Sequence, residues 1–308
     1  MTLSIGLVGC GAWGKLILRD LIACGAKVSV VAPSEKTRAL ALDSGAASAC
    51  AGIAELGRME GFVVATPSIT HAAIVDQLLP FGKPVFVEKP MATDLVSAQR
   101  VVQASKGRLF VMQKWRYHRG IEYIRARIAA GDLGEVRAIR LIRWGWGLPH
   151  PDVNSIWHLM PHDLAITLHW LGYVPPLRSV SLTTPLKFDS GLIAHLGGQS
   201  HPAVGIEMST VSPVHRRCFA AIGSRASMEL GDSYAPEVAI RHGEPGDQRA
   251  REERVAIPQD MPLLAEIRAF LEHLRGGPPP MTDATEDLAI VERLADIDAA
   301  ARAAAGDR

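Results

Sequence analysis

The sequence predicts an α/β fold in two parts: a doubly wound parallel sheet at the amino end, then an open, mostly antiparallel sheet with helices on one face. Two observations predict it. Up to residue 117, short apolar runs alternate with helical stretches, which is the pattern of parallel strands joined by crossover helices. Beyond 118, strand-like runs follow one another with few helices between them. The 308 residues accommodate two domains, with 48% hydrophobic residues to fill their cores.

The first strand covers Leu3 to Val8 and runs straight into Gly9-x-Gly11-x-x-Gly14, with Cys10, Ala12 and Trp13 between the glycines. A helical pattern begins at Lys15. Strand, glycine loop and helix in that order form a dinucleotide-binding fingerprint. Gly9 permits the tight turn, Gly11 lets a pyrophosphate approach the backbone, and Gly14 lets the helix pack against the strand. The amides of Ala12 and Trp13 open the helix and face the phosphates. A strand over 27–32 follows, then a helix over 35–44, a buried strand over 61–65 and a helix over 71–79. A strand over 85–87, a helix over 94–105 and a strand over 108–113 complete the first domain, expected as 1–117.

The substrate-binding and oligomerisation domain is expected as 118–308. It opens with a helix over 120–130, ended by Gly131-Asp132-Leu133-Gly134. Strands are expected over 136–144, 179–183, 191–196, 203–211, 217–222, 227–230, 238–241 and 254–257. One helix, 161–171, interrupts them, with Pro161 in its first turn and His158 ahead of it. Helices over 263–274 and 285–304 close the chain. In the last, Leu288, Val291, Leu294 and Ile297 recur at helical spacing and read as core. An open sheet needs cover, so a homodimer or homotetramer through this sheet is expected.

Charge excludes several function classes. The 33 basic and 32 acidic residues leave a net +1, which suits neither a nucleic-acid nor an acidic membrane partner. No apolar run is long enough for a membrane span, and no basic n-region marks a signal peptide. Cys10, Cys24, Cys50 and Cys218 have no paired spacing, which reads as reduced thiols in a cytoplasmic protein.

Five landmarks now stand in order: Gly9-x-Gly11-x-x-Gly14; Ala65-Thr66-Pro67-Ser68 with His71; Glu88-Lys89-Pro90; Trp115-Arg116-Tyr117 followed by Gly131-x-Leu133-Gly134-Glu135; and His162 with Leu171-Gly172. Pro262-Leu263-x-x-Glu266-Ile267-x-x-Phe270-Leu271 adds a sixth near the carboxyl end. The chain resembles the Gfo/Idh/MocA oxidoreductases, NAD(P)-dependent enzymes acting on sugars, cyclitols and sugar nucleotides. The match spans nearly the whole sequence, and E-K-P at this distance from the glycines is its most specific part. The resemblance implies a dehydrogenase or reductase interconverting a secondary alcohol and a ketone, with Lys89 as acid/base. It also implies that Thr66, Pro67 and His71 line the nicotinamide half of the cleft.

The residues agree with that assignment. Lys89 follows an apolar strand and precedes a proline, at the carboxyl end of the sheet where ligands bind. Removing hydride from an alcohol carbon requires a group to take the hydroxyl proton, and an ammonium also stabilises alkoxide charge. Glu88 either orients Lys89 or caps the next helix. His162 matches the histidine of the family's D-x-G-x-H, but His158 stands where its aspartate belongs, and Ala165 replaces a second aspartate. Histidine can bind a sugar hydroxyl or shuttle a proton, without the fixed negative charge. Asp163 either serves beside His162 or faces the helix dipole. Trp157, with Trp144 and Trp146, either stacks on a sugar ring or fills the core. Arg116 either reaches substrate or pairs between domains. His158 and His162, with His150 and Asp152 nearby, raise a metal site, but no motif completes it and none is expected.

Where NAD-preferring sites carry an acidic residue at the end of the second strand, this chain has Ala32. Ser34, Lys36 and Arg38 follow and suit a 2′-phosphate; Glu35 among them argues the other way but fits the first turn of a helix, so NADP is favoured over NAD. Two alternatives use the same fold: a reductase of a non-sugar substrate, of the imine or biliverdin type, and a non-catalytic NADP-binding sensor.

Overall fold

The structure, a computed structural model, describes residues 2–147, 152–244, 246–247 and 249–306. The chain divides into two compact units, Met1–Lys114 with Met261–Val291, and Trp115–Asp260 with Glu292–Arg308. This differs from the expected single boundary at 117/118. The cause lies in helix Pro262–Leu274, whose apolar face belongs to the first core. Leu263, Ile267, Phe270 and Leu271 cluster there with Ile5, Leu7, Ile17 and Leu18. Phe270 stacks on Phe86 with ring centroids 4.9 Å apart, an offset pair that contributes about 0.5–1.5 kcal/mol beyond its buried area.

The first unit contains strands β1 (Ser4–Val8), β2 (Lys27–Val31), β3 (Ser48–Cys50), β4 (Gly61–Val64), β5 (Val85–Glu88) and β6 (Leu109–Met112). Helices α1 (Ala12–Ala23), α2 (Glu35–Asp43), α3 (His71–Leu78) and α4 (Leu95–Ser105) connect them. The sheet order is β3-β2-β1-β4-β5-β6, and every pairing is parallel. The central strands are apolar on both faces because both faces are covered; all four residues of β4 and of β5 are buried. The order reverses between β1 and β4, the switch point at which such sheets bind ligands. β3 was not expected: its three residues, Ser48-Ala49-Cys50, are short, small and partly exposed, as befits an edge.

The second unit contains α5 (Arg119–Ala129), β7 (Val136–Trp146), α6 (Ser155–Leu171), β8 (Leu177–Leu182), β9 (Gly191–Gly198), β10 (His201–Ser209), β11 (Val211–Gly223), β12 (Ala226–Leu230), β13 (Glu237–His242) and β14 (Arg251–Ala256). The order is β14-β13-β12-β11-β7-β10-β9-β8. Only the β7–β10 pairing is parallel; the others are antiparallel. Helix α6 packs on β7 and β10, and α5 on β12. Helix Pro262–Leu274 is α7, and α8 spans Ala284–Ala304, with Val291, Leu294 and Ile297 fully buried as the spacing predicts and Leu288, nearer the start of the helix, only half-buried.

Two elements start six residues earlier than expected. β11 begins at Val211 instead of 217, through Pro213 and the exposed residues to Arg216. Its pairing with β7 skips register between Val211 and Arg216, and a bulge there accommodates the proline. α6 begins at Ser155 instead of 161, which places His158 inside the helix. Asn154 caps it, its side chain accepting from the Trp157 amide at 3.2 Å, and Asp189 accepts from the Ser155 amide and hydroxyl, each at 2.8 Å. A good cap and a buried apolar stretch outweigh the hydrogen bond that Pro161 forfeits. No helix of the described residues is long and apolar enough to cross a membrane, and all four cysteines are free.

Candidate active site

In the first unit, the glycine loop joins β1 to α1 at the switch point. Gly9 has φ +92°, and a Cβ there would lie 2.5 Å from the Ala65 carbonyl oxygen. A Cβ on Gly14 would lie 2.6 Å from the Gly9 carbonyl oxygen, so the helix start and the loop meet backbone to backbone. Gly11 faces open space, with no atom within 4 Å of where its Cβ would be. Two glycines therefore close the turn and one leaves room above it, the shape a pyrophosphate requires at a helix N-terminus.

Side chains then tie this loop to the strand ends beside it. The Trp13 indole N–H donates to Glu88 Oε1. Glu88 Oε2 accepts from the Lys89 amide at 3.0 Å, and the Lys114 ammonium lies 4.4 Å from the Trp13 ring centroid. Glu88, 8% exposed, thus fastens the glycine loop to the backbone of Lys89. Lys89 follows β5 at the carboxyl edge of the sheet, half-buried, in a cis peptide with Pro90. Of the two sequence readings of Glu88, orienting its neighbour fits these contacts.

His71 is buried and spans two loops. Its Nδ1 lies 2.7 Å from the Pro90 carbonyl oxygen and its Nε2 2.8 Å from the Thr66 carbonyl oxygen. Burial lowers its pKa, with the two carbonyls opposing. It holds the Thr66-Pro67 segment against Lys89-Pro90. Thr70 Oγ1 bonds Thr66 Oγ1 at 2.8 Å and the Pro67 carbonyl at 2.7 Å, folding that segment further.

At the end of β2, Ala32 is 3% exposed and Ser34 caps α2, its Oγ accepting from the Thr37 amide at 3.4 Å. Lys36 is exposed. Arg38 folds back, its Nη1 donating to the carbonyls of Ala32 at 2.9 Å and Pro33 at 2.7 Å.

Sequence reasoning missed a residue below this loop. Glu266 on α7 is 0% exposed, and neither carboxyl oxygen has a hydrogen-bond partner. Burial first, then the Glu88 charge, holds its pKa well above the usual carboxylate range, with Lys114 partly offsetting. Its place in the Pro262-Leu263-x-x-Glu266 motif was visible; its burial was not.

In the second unit, His158 and His162 lie one turn apart on α6, half-buried. This corrects the expectation that His158 precedes the helix. Among the described residues no group of three or more His, Cys, Asp or Glu forms a metal site. His150 and part of the 145–155 loop lie outside the described residues. Trp157 is 7% exposed, so most of its ring lies in the core. Asp163 is fully buried and accepts from Arg143 Nε at 2.7 Å and Nη2 at 2.8 Å. This bidentate pair, not the helix dipole, takes up the Asp163 charge. Arg116 Nε donates to His169 Nδ1 at 3.0 Å, and His169 Nε2 contacts Glu122. That contact lies two turns beyond His162 on α6 and within this unit.

The Trp115 ring gathers the rest. Its centroid lies 6.3 Å from that of His162, edge-on, and 5.1 Å from that of Phe219, with the Arg143 guanidinium 5.3 Å over it. Sequence reasoning assigned no role to Arg143. It follows Ile139 and Leu141 at alternating positions of β7, where apolar residues face inward.

Comparison with known proteins adds to this geometry. Residues 3–113 match the model of an oxidoreductase family with an NAD-binding Rossmann fold. The myo-inositol dehydrogenase Hyg17 of Streptomyces leeuwenhoekii is 29% identical over 306 residues, covering 90% of each chain. The rhizopine catabolism protein MocA of Rhizobium meliloti is 24% identical, covering 95% of this chain and 94% of its own. Among solved structures, UDP-N-acetylglucosamine 3-dehydrogenase GnnA from Acidithiobacillus ferrooxidans superposes with TM-score 0.87 at 21% identity over 99% of both chains. Levoglucosan dehydrogenase in complex with NADH and levoglucosan gives TM-score 0.84 at 15% identity over 98% of both chains. At these identities the solved structures share the fold.

Proposed function

We propose that this chain, whose residues 3–113 match an NAD-binding oxidoreductase family and which is similar over 90% of its length to a myo-inositol dehydrogenase, is a Gfo/Idh/MocA-type enzyme that interconverts a secondary alcohol and a ketone on a sugar-like substrate, with Lys89 as acid/base and NADP as preferred cofactor. The observation that carries this reading is the Glu88-Lys89-Pro90 segment. Its backbone is fastened through Glu88 and Trp13 to a glycine loop shaped for a dinucleotide. A lysine held there stands at the strand end beside the cofactor loop, where alcohol chemistry needs a proton acceptor.

The dinucleotide, when bound, supplies the hydride acceptor. Gly9, Gly11, Ala12, Trp13 and Gly14 would hold its pyrophosphate. His71 steadies Thr66 and Pro67, which line the nicotinamide. In oxidation, Lys89 Nζ takes the hydroxyl proton as the carbon gives up hydride; in reduction it returns that proton. Its charge stabilises the alkoxide between. His162 and His158 bind substrate hydroxyls from one face of α6, and a neutral imidazole there acts as donor or acceptor by tautomer. The Arg116 contact with His169 ties α6 to the segment that precedes α5.

NADP preference rests on Ala32: the residue that follows β2 carries no carboxylate to repel a 2′-phosphate, Glu35 belongs to the first turn of α2, and Ser34 and Lys36 stand exposed on either side of it. A second copy of the chain covers the outer face of the second sheet. There Ile142, Trp144 and Ile193 stay half-buried between the charged Arg140, Glu207 and Arg216. Sedimentation equilibrium tests that assembly.

Calorimetric titration with NADP and NAD, then turnover of a sugar, cyclitol and sugar-nucleotide panel, tests the function. Binding of neither dinucleotide overturns it. Equal affinity for both overturns the NADP preference alone.

A further inference from the structure

Among the described residues Arg217 has no ion-pair partner of its own; the charges of Asp163, Asp232 and Tyr234 act on it only from a distance. It pairs across strands with Arg143, so both side chains project from the same face of the sheet. That face packs against α6, as Phe219, two residues along β11 and fully buried, confirms. Arg143 is neutralised by Asp163. Arg217 is not: among the described residues no carboxylate lies within ion-pair distance of it.

Its guanidinium is nonetheless fixed. Nη1 donates to the carbonyls of Trp144 at 2.5 Å and Arg216 at 2.9 Å. Among the described residues Nε and Nη2 make no hydrogen bond. The side chain is half-buried. Burial first, then the Arg143 charge, presses its pKa down to about 10, with Asp163, Asp232 and Tyr234 offsetting part. Arginine commonly buries its stem and keeps its charged head at the surface. This one is tethered by one nitrogen and presents two others as a preorganised fork, a shape that matches an oxyanion.

The fork also faces the right side. Trp115 contacts His162 at one edge and Arg143 and Phe219 elsewhere on its ring, which puts the Arg217 face of β11 and the histidine of α6 around one indole.

We propose that Arg217 binds an anionic substituent of the substrate, a phosphoryl or carboxylate group, so that this enzyme acts on sugar phosphates, sugar nucleotides or sugar acids in preference to neutral sugars and cyclitols. The proposal rests on the dehydrogenase reading above and specifies its substrate class.

The test is calorimetry on protein saturated with NADP, so that the phosphate sites of the dinucleotide are filled. Glucose 6-phosphate, UDP-glucose and glucuronate are the anionic probes; glucose and myo-inositol are the neutral ones. At least one anionic probe binds at least tenfold tighter than its neutral parent. Arg217→Gln abolishes that advantage and leaves neutral-probe and NADP affinities unchanged. Arg217→Lys, which keeps the charge and loses the fork, recovers part of it, and it carries the test should the Gln variant not fold. Preference among the three anions distinguishes phosphoryl from carboxylate. Anionic probes that bind no tighter than glucose, or equally to wild type and Arg217→Gln, overturn the proposal and leave the dehydrogenase reading standing. Failure to load any dinucleotide overturns both.

Discussion

The residues proposed for function stand on different materials in the two units. In the first, the site is made of backbone: a carbonyl that excludes a Cβ at Gly9, another that excludes one at Gly14, an amide held by Glu88, and two carbonyls spanned by His71. In the second, the proposed site consists of side chains on a helix and a sheet face: His158, His162, Trp115, the Arg143–Asp163 pair and Arg217. A backbone site tolerates little variation, because moving it moves the chain. A side-chain site is rewritten by substitution without changing the fold, which suits one cofactor scaffold to many substrates.

The comparison can be broken most sharply at Lys89. Lys89→Ala lowers kcat about 10³-fold, within the ~10²–10⁴ range for general acid–base catalysis, while NADP affinity changes little. Steady-state kinetics beside calorimetry reads both, and a variant retaining turnover removes Lys89 from the chemistry. In the second unit, Asp163→Ala strands the Arg143 charge in the core and costs about 3–5 kcal/mol. Urea unfolding measures it, and replacing both residues with apolar ones recovers most of the loss. A loss below ~1 kcal/mol means that water already reaches the pair.

A smaller effect is expected at the end of β2. Ala32→Asp shifts the ratio of NAD to NADP affinity toward NAD by about tenfold or more, through repulsion of the 2′-phosphate and new contacts to the ribose hydroxyls. An unchanged ratio places cofactor choice elsewhere. The gentlest effect is a slope. Glu266 has a raised pKa in the folded protein, so the native state holds a proton that the unfolded chain releases above about pH 4.3. Stability is therefore lost as pH rises from that value toward the raised one. Glu266→Gln removes this loss, and its advantage over wild type grows from pH 5 to pH 8 in urea unfolding. Parallel pH profiles would mean that Glu266 is ionised in the fold.

The same contrast explains what was legible in the sequence. Gly9, Gly11, Gly14 and the Glu88-Lys89-Pro90 segment could be read directly, because backbone constraints restrict which residues can stand there. The alternation of strands and helices placed all but the short edge strand β3 of the parallel sheet. In the second unit the strands were found but not their limits: the bulge hid the start of β11, and Pro161 obscured the start of α6, which hangs on the Asn154 cap. Which way Asp163 points, and that Arg143 and Arg217 face each other, depends on pairing between distant strands, which no local pattern encodes. The contact of Arg116 with His169 depends likewise on how α6 settles.

The path of the chain has a consequence for its birth. The core of the first unit includes Leu263, Ile267, Phe270 and Leu271, made long after the sixth strand of the sheet they cover. At about 5–20 residues per second on the ribosome, the chain between Lys114 and Leu263 takes roughly 7–30 s to emerge. For that interval Phe86 and its neighbours lack their covering helix, and the nascent sheet is a surface that a chaperone can hold. Truncation after Lys114 makes that waiting state permanent, so the amino-terminal segment alone should be recovered aggregated or chaperone-bound, whatever the quality of its glycine loop.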